Sequence, residues 1–469
     1  MPPASPEALA CERPGTPPDA ASTPAPAPAP LAPGFWQAFF YWLRLGFLSF
    51  GGPAGQIAMM HDALVLQRRW ISERRFLHAL NYCMVLPGPE AQQLATYIGW
   101  LMHGTWGGIA AGGLFVLPSL LILIGLSWVY MALGKLALVA GFLYGVKPAV
   151  TALVLFSAWR IGHKTLRTGG LRALALLALL GIAVLDLPFP LIVLLAGCLG
   201  YLGQRYWPAQ VSVAAGGAQH LQRQAAAVID DDTPTPPHAR FRWRHLLRVL
   251  LLGLGLWALA IGGLAYCYGS EGLLTQMAWF FTKAALLTFG GAYAVLPYVY
   301  QGAVEQFHWL SAAQMMDGLA LGETTPGPLI MVLSFLGFVA GWSHAVAPSS
   351  QWLGGVVASC WVTFFTFLPS FVFIFLGGPL IETSHGNLRL AAPLTGITAA
   401  VVGVIVNLAL FFAYHVFWPG GWGTAFDGAA LAIGVLCVVA LGYYKVAVIR
   451  VVLGAGCAGM LWQYLHSWS

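Results

Sequence analysis

Charge is the scarcest thing in this sequence. Asp, Glu, Lys and Arg make up 8% of the 469 residues, where ordinary soluble domains carry roughly a quarter, so a water-facing surface cannot be assembled from it. Alternation of apolar and polar residues is also missing. The apolar stretches are continuous, which excludes a transmembrane β-barrel. The seven cysteines (Cys11, Cys83, Cys198, Cys267, Cys360, Cys437, Cys457) form no C-x-x-C pair and sit mostly in apolar runs. Each reads as a small core residue rather than a metal ligand or half of a disulfide, and neither a metal nor a cofactor is expected. Clustered acid is confined to Asp230, Asp231 and Asp232, beside prolines and without a second copy, whereas a membrane prenyl-type transferase needs aspartate-rich motifs that hold magnesium. The chain therefore reads as a non-enzyme. Its net charge of +6 does not point to nucleic acid, because the basic residues gather in short loops between apolar runs, as membrane topology requires.

What the sequence has instead is length of hydrocarbon. Mean hydropathy is +0.75, and stretches long enough for a bilayer core, about 20 residues for roughly 30 Å, recur from residue 35 almost to the end. The first 34 residues hold 11 of the 30 prolines and only Arg13 as a basic residue, a composition for a disordered tail rather than a signal peptide.

A fixed offset of 239 aligns two halves of the chain. Phe50-Gly51-Gly52 falls on Phe289-Gly290-Gly291, Trp70 on Trp309, Ser72 on Ser311, and Pro87-Gly88-Pro89 on Pro326-Gly327-Pro328. Farther along the offset becomes 251, and Leu117-Pro118-Ser119 meets Leu368-Pro369-Ser370 while Gly145 meets Gly396. The expected organisation is a tail (1–34), a first repeat (35–206), a polar linker (207–245), one extra helix (246–268) and a second repeat (269–469). A single extra crossing turns the second repeat upside down. The loop "QRRWISERR" carries Arg68, Arg69, Arg74 and Arg75 while its counterpart "QGAVEQFHWLSAAQ" has no Lys or Arg, so matching loops are expected on opposite sides. With the basic loops and the basic linker in the cytoplasm, the segment near 75–103 must return to the side it came from, and the break at Gly51-Gly52-Pro53 offers the segment near 35–60 the same course. The expected fold is an all-α polytopic membrane protein of two inverted-topology repeats, about six apolar segments each, with broken or re-entrant helices. Lys135, placed outside, is a mild misfit.

Proline inside a helix costs about 3 kcal/mol or more, so each break needs a reason. In Pro87-Gly88-Pro89 the glycine supplies backbone freedom and Pro89 suits the start of a new helix. Inverted repeats with discontinuous helices are the sequence pointer to a transport site, and a helix starting inside the protein aims free N–H groups and a positive dipole end at its guest. Anions fit. Arg44, Lys283 and Lys147 lie within apolar segments, where a charge is costly, and Arg44 and Lys283 occupy matched positions. As a buried pair they would suit a divalent anion; Arg44 snorkelling to an interface and Lys147 lying near a helix end are the competing readings. Glu90 and Glu323 flank the two breaks and are candidate proton carriers.

At these residues the sequence resembles the chromate transporter family in its long, two-domain form. The resemblance rests on "GFLSFGGPAGQIAMMHD", "RRWISERRF", "LPGPEAQQLATYIGW", "LTFGGAYAVLPY" and "ETTPGPLIMV", and extends over residues 35–466. It implies a bacterial inner-membrane exporter of chromate, a tetrahedral dianion similar to sulfate, driven by the proton-motive force and conferring chromate resistance. It points to Phe50, Gly51, Gly52 and Pro53, to Pro87, Gly88 and Pro89 with Glu90, and to Pro326, Gly327 and Pro328 with Glu323. In the second half Phe289, Gly290 and Gly291 are followed by Ala292 where the first half has Pro53. Members acting on other anions keep the substrate open, and the alternative is a transporter or a passive channel for another inorganic anion such as sulfate, since the same helix breaks would line a channel. The expected partners are the oxyanion and the lipid bilayer, with a homodimer left open, the N-terminus cytoplasmic and the C-terminus periplasmic.

Overall fold

The computed structural model describes residues 30–50, 52–134, 136–185, 187–207, 227–230, 233–234, 236–289, 292–347, 350–383, 391–419, 421 and 425–466. Most of the tail and linker, and Gly51, Lys135, Asp231, Asp232, Gly290 and Gly291, lie outside them. The described residues fold into helices joined by short turns, and six of these helices are long and apolar enough to cross a membrane. The chain is a multi-pass membrane protein.

The first half opens with two hairpins. Helix α1 (Phe35–Leu48) stops at the first break, and α2 (Gly52–His61) runs back, ending in a π-helical turn (Asp62–Gln67). Helix α3 (Glu73–Val85) starts where the Ser72 side chain accepts a hydrogen bond from the Arg75 N–H (3.3 Å), a standard N-cap. It enters as far as the second break and returns as the first part of α4 (Glu90–Leu133). That long helix turns a corner at His103 and Gly104, whose backbone is not helical.

Hydrogen bonds gather the open ends of both hairpins on one face. His103 Nε2 donates to the Pro33 carbonyl (2.9 Å), joining the start of α1 to the corner of α4. His238 of the linker donates to the Trp100 carbonyl (2.8 Å), and Ile229 pairs with the Trp70–Ser72 backbone in a short parallel bridge. Arg75 donates to the Thr233 carbonyl (2.7 Å) and to Glu382 (3.1 Å). We call this the linker face. Segments 35–60 and 75–103 are therefore hairpins whose open ends share the linker face.

From the corner, α4 crosses to the far face. Helix α5 (Ala137–Thr165) returns, α6 (Gly169–Ala183) and α7 (Phe189–Tyr206) follow, and after the linker α8 (Trp243–Tyr268) crosses again. The second half then repeats the design: α9 (Leu273–Leu287), α10 (Ala292–Tyr300) with its π-helical turn (Gln301–Gln306), and α11 (Ala312–Thr324). Ser311 caps α11 as Ser72 caps α3, here in a full capping box with Gln314. The residue after each π turn's exit, Arg69 and His308, has φ of 50° in both halves. These hairpins meet far-face elements: Tyr130, near the end of α4, donates to Asp317 of α11, and the Phe189 N–H at the start of α7 donates to Gln301 (3.4 Å). Helix α12 (Val332–Ser343), α13 (Gln351–Thr383), α14 (Ala391–Phe417), α15 (Gly428–Gly442) and α16 (Val448–His466) complete the fold. The shift of offset from 239 to 251 has a visible cause. The first half turns its corner inside α4, whereas the second turns it between two separate helices, α12 and α13.

The halves interlock rather than sit side by side. Gly145 of α5 lies so close to α16 that a Cβ there would be 1.9 Å from the Ala455 carbonyl oxygen, and its match Gly396 of α14 is similarly close to α7, 2.5 Å from that of Ala196. Small residues at such contacts let helix backbones pack without lipid between them.

Candidate functional site: two crossed helix breaks

Each Pro-Gly-Pro break is held by the other half of the chain. The Gly88 N–H donates to the Thr288 carbonyl (2.7 Å), and the Gly327 N–H donates to the Ser49 carbonyl (2.9 Å). Ser49 and Thr288 are the residues just before the two Phe-Gly-Gly motifs, and both are fully buried. After them the chain makes the same tight turn twice, Phe50 N–H to Leu48 carbonyl (2.9 Å) and Phe289 N–H to Leu287 carbonyl (3.0 Å). The four breaks thus meet as a crossed pair in the protein interior, where irregular backbone is tolerated only if protein satisfies it.

Glycine is required at both crossing points. Gly88 has φ of +129° and Gly327 of +102°, a region that other residues rarely adopt. A Cβ on Gly88 would lie 2.3 Å from Ser370 Oγ and 2.6 Å from Gln93 Nε2, and one on Gly327 would lie 2.6 Å from the Ser119 Cβ. Each glycine therefore touches the serine of the other half's Leu-Pro-Ser motif.

Around this crossing lies an unusual set of polar groups. Gln56 Nε2 donates to the Ser49 carbonyl (3.1 Å) and to the Gly327 carbonyl (2.5 Å), and Gln93 Nε2 donates to the Pro87 carbonyl (2.7 Å). Yet Gln56 Oε1, Gln92 Oε1, Gln93 Oε1, Ser119 Oγ and Ser370 Oγ are buried with no hydrogen-bond partner. Such orphans are rare in folded proteins, and each costs about 1–3 kcal/mol. Pro89 caps α4, so the N–H groups of Glu90, Ala91 and Gln92 have no carbonyl one turn back. Donors without partners at a helix start are suited to an anion.

A cavity of about 490 Å³ leads toward the crossing. Phe50 and Glu323 line it at the end nearest the breaks, and Trp159, Arg160 and Lys445 line it toward solvent. Arg160, near the end of α5, and Lys445, in the turn between α15 and α16, are exposed, placing the mouth on the linker face. The Tyr293 hydroxyl donates to the Glu323 carboxylate.

The expected site residues divide into three groups. Phe50, Gly52, Pro53, Pro87, Gly88, Pro89, Phe289, Pro326, Gly327 and Pro328 all belong to the crossed breaks, with Glu90 opening α4 and Glu323 ending α11. Gly51, Gly290 and Gly291 lie outside the described residues. Arg44 and Lys283 are exposed, which corrects the expectation of a buried cation pair. The reason is helical register: α1 buries Ala38, Tyr41, Trp42 and Leu45, and Arg44 shares the opposite face with exposed Phe40 and Phe47. Lys283 likewise lies between exposed Trp279 and Leu286. Lys147 lies elsewhere, 3.7 Å from Asp317 Oδ1, whose Oδ2 accepts from the Tyr130 hydroxyl (2.9 Å).

Sequence reasoning passed over Arg160, Ser119, Ser370, Gln56 and Gln93. The Leu-Pro-Ser repeat was the available signal for the serines. A glutamine in an apolar run was the signal for Gln56, and the pair Gln92-Gln93 after the break was the signal for Gln93; Arg160 had none.

A family model described as "Chromate transporter" matches residues 36–201 and 275–460. The chain is 33% identical over 447 residues to a "Chromate transport protein" of Pseudomonas aeruginosa, covering 92% of this chain and 93% of that protein. It is 28% identical to a "Chromate transport protein" of Cupriavidus metallidurans over 80% of this chain and 82% of that one. A "Probable chromate transport protein" of Synechococcus elongatus is 29% identical, over 78% and 81% respectively. No solved structure matches the chain.

Proposed function

Because this chain belongs to the chromate transporter family, we propose that it exports chromate from the cytoplasm across a bacterial inner membrane and confers chromate resistance. The observation that carries this reading is the crossing itself: reciprocal hydrogen bonds from Gly88 to Thr288 and from Gly327 to Ser49 at the inner end of a cavity with a basic rim. Two discontinuous helices crossing near the middle of a membrane protein are the architecture of a carrier, with rocking of one repeat against the other giving alternating access.

The linker face carries Arg68, Arg69, Arg74, Arg75, Arg160 and Lys164, an excess of basic residues that supports reading it as cytoplasmic. The two repeats then lie in opposite orientations, the N-terminus is cytoplasmic and the C-terminus periplasmic. Each charge crossing 100 mV is worth about 2.3 kcal/mol, so a dianion leaving a negative interior gains roughly 4.6 kcal/mol per 100 mV and export runs downhill electrically.

Glu90 and Glu323 are the candidates for proton coupling. Neutralising either carboxylate removes repulsion toward an approaching anion, so electrostatics favours proton and anion binding together.

The test is uptake of radiolabelled chromate into everted vesicles, whose cytoplasmic face is outward, with and without an imposed potential and with excess sulfate. Saturable, potential-dependent accumulation supports the exporter. Failure in energised vesicles of verified orientation refutes chromate as the substrate, and uptake of sulfate in its place would assign a different inorganic anion.

A further inference from the structure

Among the described residues, three buried serines lack a partner, and two of them, Ser119 and Ser370, are matched across the halves, whereas the third, Ser127, is matched by Gly378. Hydroxyls within helices ordinarily fold back onto the carbonyl four residues earlier, and the neighbours of these serines do so: Thr363 bonds the Ser359 carbonyl (2.8 Å) and Thr366 the Val362 carbonyl (2.7 Å). Ser119 and Ser370 do not, although their relative exposures are 0% and 1%. They come from matched Leu-Pro-Ser motifs on α4 and α13, and each touches the crossing glycine of the opposite half, Ser370 at Gly88 and Ser119 at Gly327.

We infer that Ser119 and Ser370 are the specificity-determining ligands of the transported ion, donating their hydroxyl hydrogens to two oxygens of one tetrahedral oxyanion held between the two breaks. The inference rests on the proposed transport function and deepens it by naming the neutral donors at its centre. The exposed Arg44 and Lys283 leave this centre without the cation pair that sequence suggested, so recognition there is by hydrogen bonds. Neutral donors in a dry site demand geometry. They favour an ion presenting several acceptor oxygens and disfavour a spherical anion such as chloride, which offers no such directions. In the structure the hydroxyls close onto the glycines, so the ion enters by parting the crossed breaks from the cavity side, past Phe50 and Glu323. Gln93, whose Nε2 lies beside Ser370 at Gly88, has an unpaired Oε1 that can accept a hydrogen bond from the hydroxyl of a protonated oxyanion.

Replacement by alanine separates ligand from scaffold, because these hydroxyls make no bond within the protein. Full-length protein carrying Ser119→Ala, Ser370→Ala or both is reconstituted in liposomes for chromate uptake. In detergent it is heated with and without chromate, sulfate or molybdate. The expected result is a melting temperature without anion equal to or above that of the unaltered chain, an increase in KM of roughly tenfold or more for each single variant, and loss of anion-dependent stabilisation in the double variant. Chloride is expected to stabilise none of them. A double variant with unaltered KM and unaltered anion stabilisation overturns the inference, as does lowered intrinsic stability with unaltered KM, which would make the serines structural. If the unaltered chain fails to carry chromate but is stabilised by sulfate or molybdate, and the double variant is not, the substrate assignment falls while the serine site stands. Stabilisation by none of the three oxyanions overturns the site.

Discussion

The cavity on the linker face has a counterpart on the far face, and the two are built differently. The first is lined by Phe156, Trp159 and Arg160 of α5, reaches Phe50 and Glu323, and opens beside Lys445. The second, about 360 Å³, is lined by Asn407, Leu410 and Phe411 of α14, the residues that the 251 offset sets against those three. Where the first has an arginine the second has Phe411, whose ring packs 4.4 Å from that of Tyr300, and Glu305 stands on its wall. Among the described residues, none from either break lines the second cavity. One backbone plan therefore yields an open, basic approach on one face and an aromatic, acid-lined recess on the other. The lesson is that two copies of one backbone plan can differ in side-chain charge: under the proposed function, the basic rim favours anion approach from the linker face, and the far recess has no matching cation.

The largest expected effect comes from the floor on which any route between the faces depends. Gly88→Ala or Gly327→Ala forces a left-handed backbone and a clash with the opposing serine, a cost of about 2–4 kcal/mol. Uptake is expected to vanish in everted and right-side-out vesicles alike; a variant that loses transport from one face only would show that the cavities do not share the crossing.

Copying the far face onto the linker face is the next test. Arg160→Gln should raise the chromate KM roughly tenfold in everted vesicles and change it little in right-side-out ones. An equal shift in both would place Arg160 in the common site instead of the approach.

Accessibility should follow the same asymmetry. With native cysteines replaced, Phe156→Cys is expected to react with a water-soluble thiol reagent from the linker face several times faster than Asn407→Cys reacts from the far face. Adding Phe411→Ala should narrow that gap.

The smallest effect is expected at the exposed cations. Arg44→Gln and Lys283→Gln should each change transport by less than about twofold, because a charge outside the buried crossing contributes weakly. A complete loss of transport in either would return these cations to the site.

Much of this arrangement was legible before any coordinates. The 239 offset matched α3 to α11 residue for residue, and the basic loops together with the prolines foretold two hairpins returning to their own face. The crossing was not legible, for a physical reason. A repeat states which positions are equivalent, but not which copy satisfies which, and Gly88 finds its acceptor in Thr288, not Ser49. Arg44 was misjudged because its apolar neighbours were read as burial, although Phe40 and Phe47 on the same helical face mark it as outward. Arg160 carries no local mark of a site, because nothing in its sequence neighbourhood says that α5 ends beside the turn between α15 and α16.

The reciprocal bonds also impose an order on biosynthesis. When the first half enters the membrane, the Gly88 N–H has no acceptor, because Thr288 is some 200 residues away. At roughly 5–20 residues per second the ribosome needs on the order of 10–40 s to supply it. Through that interval the newborn half holds an open seam in its interior, closed only by its later twin, so a truncated first half has a defined choice: remain unfinished, or borrow the missing acceptor from a second molecule.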